Sequence, residues 1–562
     1  MKRLLYGGTV VNVFTGELEK VDVLIKDEKI IGVGEYNKTE ADVVEDITGK
    51  FLCPGFIDGH IHIESTMLTP YELSKIVLSR GTTAIVADPH EIANVCGVDG
   101  IKYMIEASTN IPFSIYFMLP SCVPATPFDE SGATLEAKDI KKLYKYPQVL
   151  GLAEMMNYPG VIYDSPSVHA KINDAIKLGK LIDGHAPCLL GKELDKYISA
   201  GIRSDHECSN ISEAIEKIKK GQWIMIRQGT AARNLNNLLG LFEAPYNSRC
   251  ILVTDDRHPL DLMTEGHIDN IIRLAVKNGK SVITAIQMAT IQAAQCFGIS
   301  YVGAVAPGYR ANLVVLNDLN SVDIEDVYYS GEKVVTQKQV KIFDKPKISP
   351  KLFETVNNSF HVNKLDKKDF YIKPKSKKCR VIEILPGQLI TNEKIFEINW
   401  DKDNGVDLER DILKLAVIER HKNTGHNGLG FISGIGLKKG AIASSVSHDS
   451  HNIIVIGTND IDMAIAANHI RKNGGNVVVS DEEVVASLPL PIAGLMTDLS
   501  GEKIIDLNKK IRVAVYKLGV SEKIEPFMNM AFVSLSVIPS IKMTTKGLID
   551  VNKQEIVSLY YN

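Results

Sequence analysis

Residues 54–62 read PGFIDGHIH, an apolar run that closes on two histidines two positions apart, His60 and His62. Side chains alternate along an extended strand, so these two histidines face the same side of it. A strand of a parallel barrel is covered on both faces, and its polar working residues gather at its C-terminal end. Outward from this segment the same unit recurs. Eight apolar runs end near His60, Asp88, Pro120, Glu154, His185, His206, Gly229 and Asp255, with helical stretches between them. The mean step of about 28 residues suits one strand and one crossover helix. The fold predicted over 53–302 is therefore α/β, a (β/α)8 barrel of the TIM type. An open doubly wound sheet would carry a Gly-rich phosphate loop after an early strand, and the sequence has none there.

The flanking regions follow other patterns. Residues 1–52 alternate as short strands (RLLYGGTVVNV, then KVDVLIKDEKIIGVG) around a turn at Thr15-Gly16, and 303–334 return to that alternation. Residues 346–379 are polar, lysine-rich and dotted with prolines, the character of a connecting arm. Residues 380–562 form a separate α+β unit. Its Gly-rich middle, GLGFISGIGLKKG (428–440), leads into strands around 441–447 and 452–457. An amphipathic helix then opens near Asp460 and stops at Gly474-Gly475. The glycine spacing fits neither a dinucleotide fingerprint nor a phosphate-binding P-loop.

Composition excludes several classes of partner. The chain has 562 residues, 45% of them hydrophobic and 23% charged, with a net charge of −4. Nothing in that balance calls for nucleic acid or an anionic membrane as partner. No run of about 18 apolar residues exists to span a bilayer, and MKRLLYGGTVVNVF lacks the long apolar core of a signal peptide. The eight cysteines are scattered without close pairs, as expected of reduced thiols in a cytoplasmic protein.

The predicted barrel places the chemistry. Strand 1 ends in His60 and His62, strand 4 in Glu154, strand 5 in His185, strand 6 in His206 and strand 8 in Asp255. A lone histidine at a strand end is ordinarily a hydrogen-bonded structural residue. Four imidazoles and two carboxylates converging on one mouth are different, because burying so many polar groups is costly unless they are used. The set is sufficient for two divalent ions with coordination positions left open for water.

These motifs resemble the amidohydrolase superfamily, and within it the adenine deaminase family. PGFIDGHIH is similar to the superfamily's opening motif. The β segments at 1–52 and 303–345 resemble its composite two-part β-sandwich domain. Many binuclear relatives carry a carbamylated lysine where Glu154 stands, and a glutamate there is typical of adenine deaminases. DPHEIANV (88–95), SDHE (204–207), VTDDRHP (253–259) and SHDSHN (447–452) are similar to the same family. The last lies in a C-terminal domain that most relatives lack, so the resemblance runs over nearly the whole chain. It implies two divalent metal ions, manganese or iron before zinc, and water attacking C6 of adenine to give hypoxanthine and ammonia. It also implies a homo-oligomer, a dimer or larger, working in purine salvage. Asp255 would take the proton of the attacking water and pass one toward the leaving amine. Ring N1 also gains a proton, for which the sequence offers Glu207 or the His90-Glu91 pair.

Other candidates have two readings each. Asn94, Arg227 and Gln228 are placed to contact substrate or to make structural hydrogen bonds. Asp256 should face away from Asp255 and brace it, and His258 lies beyond the strand. His448 and His451, in a polar loop between two apolar strands, either close over the barrel mouth or are plain loop residues. His421 and His426 read as structural or solvated. Among competing functions, cyclic-amide hydrolases such as dihydroorotase or hydantoinase usually have lysine at position 154. An N-acetylglucosamine-6-phosphate deacetylase has glutamate there but lacks this C-terminal domain. The cytidine class of zinc deaminase needs a PCxxC that is absent here. A non-enzymatic assembly protein of this fold would have lost ligands, and all six are present.

Overall fold

The computed structural model describes residues 1–562 except 231, 387, 402 and 562. Eight strands follow one another as the spacing predicted: β1 (Phe56–Ile61), β2 (Thr82–Ala87), β3 (Ser114–Leu119), β4 (Val149–Met155), β5 (Leu181–Gly184), β6 (Ser204–Asp205), β7 (Trp223–Arg227) and β8 (Cys250–Val253). They pair in parallel as two ladders, β1 to β5 and β6 to β8. Backbone bonds close the ring. The Asp255 N–H donates to the His60 carbonyl at 2.9 Å, and the Arg203 N–H donates to the Ile182 carbonyl at 3.1 Å. The first of these closures stitches together the ends of β1 and β8, where His60 and Asp255 stand. Ile57, Ala84, Val86, Met118, Ala153, Met225 and Ile251 fill the barrel interior, all of them buried. The barrel is thus a packed core with a polar mouth.

The two β segments that flank the barrel in sequence combine in space. Phe51–Pro54 pairs antiparallel with Leu313–Leu316 inside a seven-stranded sheet. A four-stranded sheet of residues 2–46 packs against it, with Leu5, Val23, Ile25, Leu52, Leu313 and Tyr328 buried between them. Only Gly55 separates this sheet from β1, which anchors the first barrel strand at its N-terminal end.

The polar arm is packed along part of its length. Helix α1 (His90–Glu106) follows β2, and α2 (Pro350–Asn357) from the arm lies against it with Leu352 and Val356 buried. Beyond the arm, an eight-stranded sheet spans Lys378 to Leu488. Helix α3 (Asp460–Asn473) is capped by the Asn459 side chain, which accepts the Asp462 N–H at 2.8 Å, and it stops at Gly474 with φ +62°. It covers one face of the sheet, and α4 (Gly501–Lys517) buries Ile511 and Val515 against the other. In the Gly-rich strand Asn427–Ser433, a Cβ at Gly428 would run into the backbone carbonyl of Thr544, so only glycine lets the last strands approach.

This C-terminal unit sits on the mouth of the barrel. The Thr497 N–H donates to the Met67 carbonyl at 3.0 Å, and Asn452 Nδ2 donates to the Glu130 carbonyl at 2.8 Å. The Ser536 hydroxyl donates to Asp129 at 2.7 Å. These contacts bring the loop 445–452 over the strand ends, together with α5 (Pro526–Ala531) and the turn at Phe532. The Phe532 carbonyl accepts from the Lys542 ammonium at 3.0 Å. Lys542 is fully buried, its other partner is the Leu389 carbonyl, and burial pushes its ammonium down to about 7. An unfolded lysine titrates near 10.4, so below that pH the unfolded chain binds a proton that the folded one resists. Folding stability should therefore rise as pH increases from about 7 to about 10. Lys542→Met should flatten that rise without large loss at neutral pH. Thermal melting across this pH range checks both outcomes, and a rise of the same steepness in the variant would assign it to other groups.

Candidate metal centre

Glu154, the polar end of β4, sits between two groups of donors. Its Oε1 faces the first group, 3.4 Å from His62 Nε2 and 3.9 Å from His60 Nε2. Its Oε2 faces the second, 2.9 Å from His185 Nδ1 and 3.3 Å from His206 Nε2. Asp255 Oδ1 completes the first group, 3.0 Å from His62 Nε2 and 3.6 Å from His60 Nε2. The structure therefore brings together all six of the residues that the strand ends nominated. All except His185 are nearly closed to solvent.

The ring orientations have identifiable causes. His60 Nδ1 lies 3.2 Å from Asp183 Oδ2, and Asp183 is itself held by the Gly184 N–H and the Ser204 hydroxyl. His62 Nδ1 lies 3.2 Å from the Asp88 carbonyl. In both rings the outer nitrogen is engaged, which turns Nε2 toward the carboxylates, as in metal-binding histidines. His60 Nε2 is buried and has no hydrogen-bond partner among the described residues. An orphaned imidazole nitrogen facing two carboxylates is a site that a cation satisfies. The mixed N/O set suits divalent first-row ions.

The charges reinforce this arrangement. Burial alone would raise the Glu154 and Asp255 carboxyls. For Glu154, His185 and His206 outweigh it; for Asp255, Arg227 with His60 and His62 does so, and both carboxyls are held well below the usual range. His62 and His206 are raised despite burial, His62 by Asp255 and His206 by Glu154 and Glu207.

The remaining candidates fall into three sets. Arg227, from the end of β7, joins Glu207 to Asp255. Its Nη1 donates to Glu207 Oε1 at 2.6 Å and to Asp255 Oδ2 at 2.7 Å, and its Nη2 donates to Glu207 Oε2 at 3.1 Å. Burial opposes the Glu207 charge, and the fork from Arg227 with His185 beside it more than compensates, holding that carboxyl far down. Gln228 next to it is buried, and its backbone carbonyl accepts from Arg257.

A second set gathers at the opening of α1. His90 Nδ1 is 3.0 Å from Asp88 Oδ2, while Glu91 Oε1 is 3.7 Å from His90 Nε2 and 2.8 Å from His448 Nδ1. His451 Nε2 meets Glu91 Oε2. The C-terminal loop thus does reach the mouth, through two histidines on one buried carboxylate. Glu91 holds His448 up at about 9 against its burial, whereas burial pushes His451 down to about 4. Asn94 lies inside α1, fully buried, and its amide donates to the His90 carbonyl at 3.0 Å; the helix-local reading accounts for that donor.

The third set stands outside the centre. Asp256 turns away from Asp255 and accepts from the Ser65 hydroxyl at 2.5 Å, which is a bracing contact. His258 stands at the N-terminal end of a short helix, Pro259–Thr264, without a side-chain capping bond. His421 is buried 2.7 Å from the Ser450 carbonyl, and His426 is exposed beside Glu130. Two residues that orient the histidines were not read in that role from the sequence: Asp88, read as a strand end, and Asp183. Asp183 stands two positions before His185, and strand alternation could have placed it inward.

Residues 51–334 match the model of the amidohydrolase family, and residues 388–555 match the adenine deaminase C-terminal domain. The adenine deaminase of Desulfatibacillum aliphaticivorans is 44% identical over 559 residues, covering 99% of this chain and 97% of that protein. The adenine deaminase of Clostridium acetobutylicum is 46% identical over 549 residues, covering 96% and 95%. That of Thermosipho africanus is 44% identical over 561 residues, covering 99% and 96%. Divalent-metal use goes with the amidohydrolase family, and the side chains gathered here form groups that could hold such ions. Matched by family models over its barrel and its C-terminal domain, and by relatives more than 40% identical over nearly its whole length, the chain belongs to the adenine deaminase family of amidohydrolases.

Proposed function

We propose that this centre hydrolyses adenine to hypoxanthine and ammonia, with Glu154 among the residues that would hold two divalent ions. The observation that carries the reading is the Glu154 carboxylate, whose two oxygens each face a separate pair of imidazoles. His60, His62 and Asp255 would hold one ion with Oε1, and His185 and His206 the other with Oε2. Bound there, the ions lower the pKa of water and so supply a nucleophile at neutral pH.

The chain's own residues do the rest. Asp255 accepts the proton of the attacking water and returns one to the amine that leaves C6 as ammonia. Arg227 holds Asp255 Oδ2, which leaves Oδ1 on the reacting side. The C6–O bond forms, the C6–N bond breaks, and ring N1 is protonated as C6 becomes tetrahedral. Glu207 and His90 are the two proton carriers in reach, on opposite sides of Glu154. Glu207 is committed to Arg227 through both oxygens, which favours His90 for the transfer to N1, oriented by Asp88 and backed by Glu91.

Manganese or iron is the proposed native metal, with zinc as the alternative. We also propose a homo-oligomer, on the family resemblance, and a cytoplasmic setting, on the scattered cysteines. Protein stripped by a chelator should release no ammonia from adenine, and manganese or ferrous iron should restore more activity than zinc. Full metal occupancy without ammonia release would overturn the assignment of substrate.

A further inference from the structure

Glu64 follows the HIH motif by two residues and begins a short turn, Glu64–Thr66, after β1. It is 3% exposed. Its Oε1 accepts the Ile92 N–H at 3.1 Å, which fixes the carboxylate against the start of α1. Its Oε2 is buried and has no hydrogen-bond partner among the described residues. A buried carboxylate oxygen left unpaired is costly, and such groups in native structures ordinarily await a partner.

The surroundings say what kind of partner. Glu64 lines a cleft with Ser65, Asp256 and His258 on the barrel side and His448 and Phe532 on the side of the C-terminal domain. Phe532 and the His448 imidazole stack at 4.5 Å between centroids with 23° between planes, which makes one wall flat and aromatic. His448 is held there by Glu91, and Glu91 by His451. His451 Nδ1 accepts the Ser447 N–H at 3.2 Å, so its proton sits on Nε2 and points at Glu91. The contacts of Glu91 with His448 and His451 tie the 445–452 loop to the start of α1. The cleft is narrow, with about 20 Å³ of free volume, little more than one water.

We propose that Glu64 is a specificity-determining residue, whose Oε2 accepts the N–H of the five-membered ring of a free purine base. This rests on the deaminase reading above. Glu64 and Asp256 stand two residues after His62 and one after Asp255, so a base with its six-membered ring at the metal donors would turn its imidazole edge toward this cleft and the His448–Phe532 stack. A free base carries one ring N–H, on N9 or N7, and an N9-substituted nucleoside has none. The site then leaves the Glu64 oxygen unpaired for a nucleoside and offers its substituent no room. Sites built to hydrogen-bond a substrate group reject analogues that lack it far more strongly than apolar pockets do.

The test uses the metal-loaded enzyme with adenine and 9-methyladenine, measuring kcat and KM for each, or Ki where 9-methyladenine turnover is too slow. Glu64→Gln keeps the volume and the acceptor for Ile92 but turns a donor amide toward the purine N–H. The expected result is a kcat/KM for adenine lower by about tenfold to a hundredfold, mainly through KM. The value for 9-methyladenine should change by less than about threefold, so the preference for the free base collapses. Glu64→Asp, which retains the charge and withdraws the oxygen, should show the same selective loss. Equal losses on both substrates, or no loss on either, would overturn the proposal and leave Glu64 as an anchor for α1. Wild-type enzyme that releases no ammonia from adenine would instead sink the underlying reading.

Discussion

Glu154→Gln is expected to fold, to bind less than the full complement of two ions, and to release ammonia from adenine at least about 10³-fold more slowly. The reason lies in the two ends of the carboxylate. One oxygen faces His60 and His62, and the other faces His185 and His206. An amide keeps one acceptor and replaces the other with an NH2 group that cannot bind a cation. One donor pair therefore loses its bridge, and the remaining charge is too small to hold two divalent ions close together. Metal analysis of the purified variant alongside an ammonia assay separates this from a folding defect. A variant with two ions per chain and unaltered turnover would remove Glu154 from the centre.

Asp255→Asn is expected to act differently, with a loss in kcat of about 10²- to 10⁴-fold, the span typical of a positioned acid–base group. The residue sits in a left-handed backbone conformation (φ +58°) directly after β8, which asparagine tolerates as readily as aspartate. The fold should survive. Arg227 would keep Glu207 as its partner, so the guanidinium stays in place while the proton acceptor is lost. The distinguishing readout is turnover that falls more than metal occupancy. If ion binding and kcat fell in proportion, Asp255 would be a ligand and nothing more.

Parts of the site were legible because they obey local rules. His60 and His62 share a face through strand alternation, and Glu154, His185, His206 and Asp255 stand at strand ends whose spacing is that of βα units. Period and order are properties of the linear chain, and they located the centre before any contact was known. Helix α3 was readable for the same reason, with its opening near Asp460 and its stop at Gly474-Gly475.

Other assignments needed the packed molecule. Whether His448 and His451 were loop residues or part of the mouth depended on contacts spanning more than 350 positions, from Glu91 to the C-terminal domain. Arg227 could be read as a substrate contact or as scaffold until its fork onto Glu207 and Asp255 was seen. Asp183 and Asp88 could not be read as orienting groups, since an aspartate near a strand end becomes one only when a particular imidazole nitrogen faces it. The residue order thus determined the barrel and the family and nominated the six donors, because periodicity and strand-end position are written locally. Tertiary structure alone decided which groups pair, which are left unpaired, as Glu64 is, and what covers the mouth, because those outcomes depend on distances between segments remote in sequence.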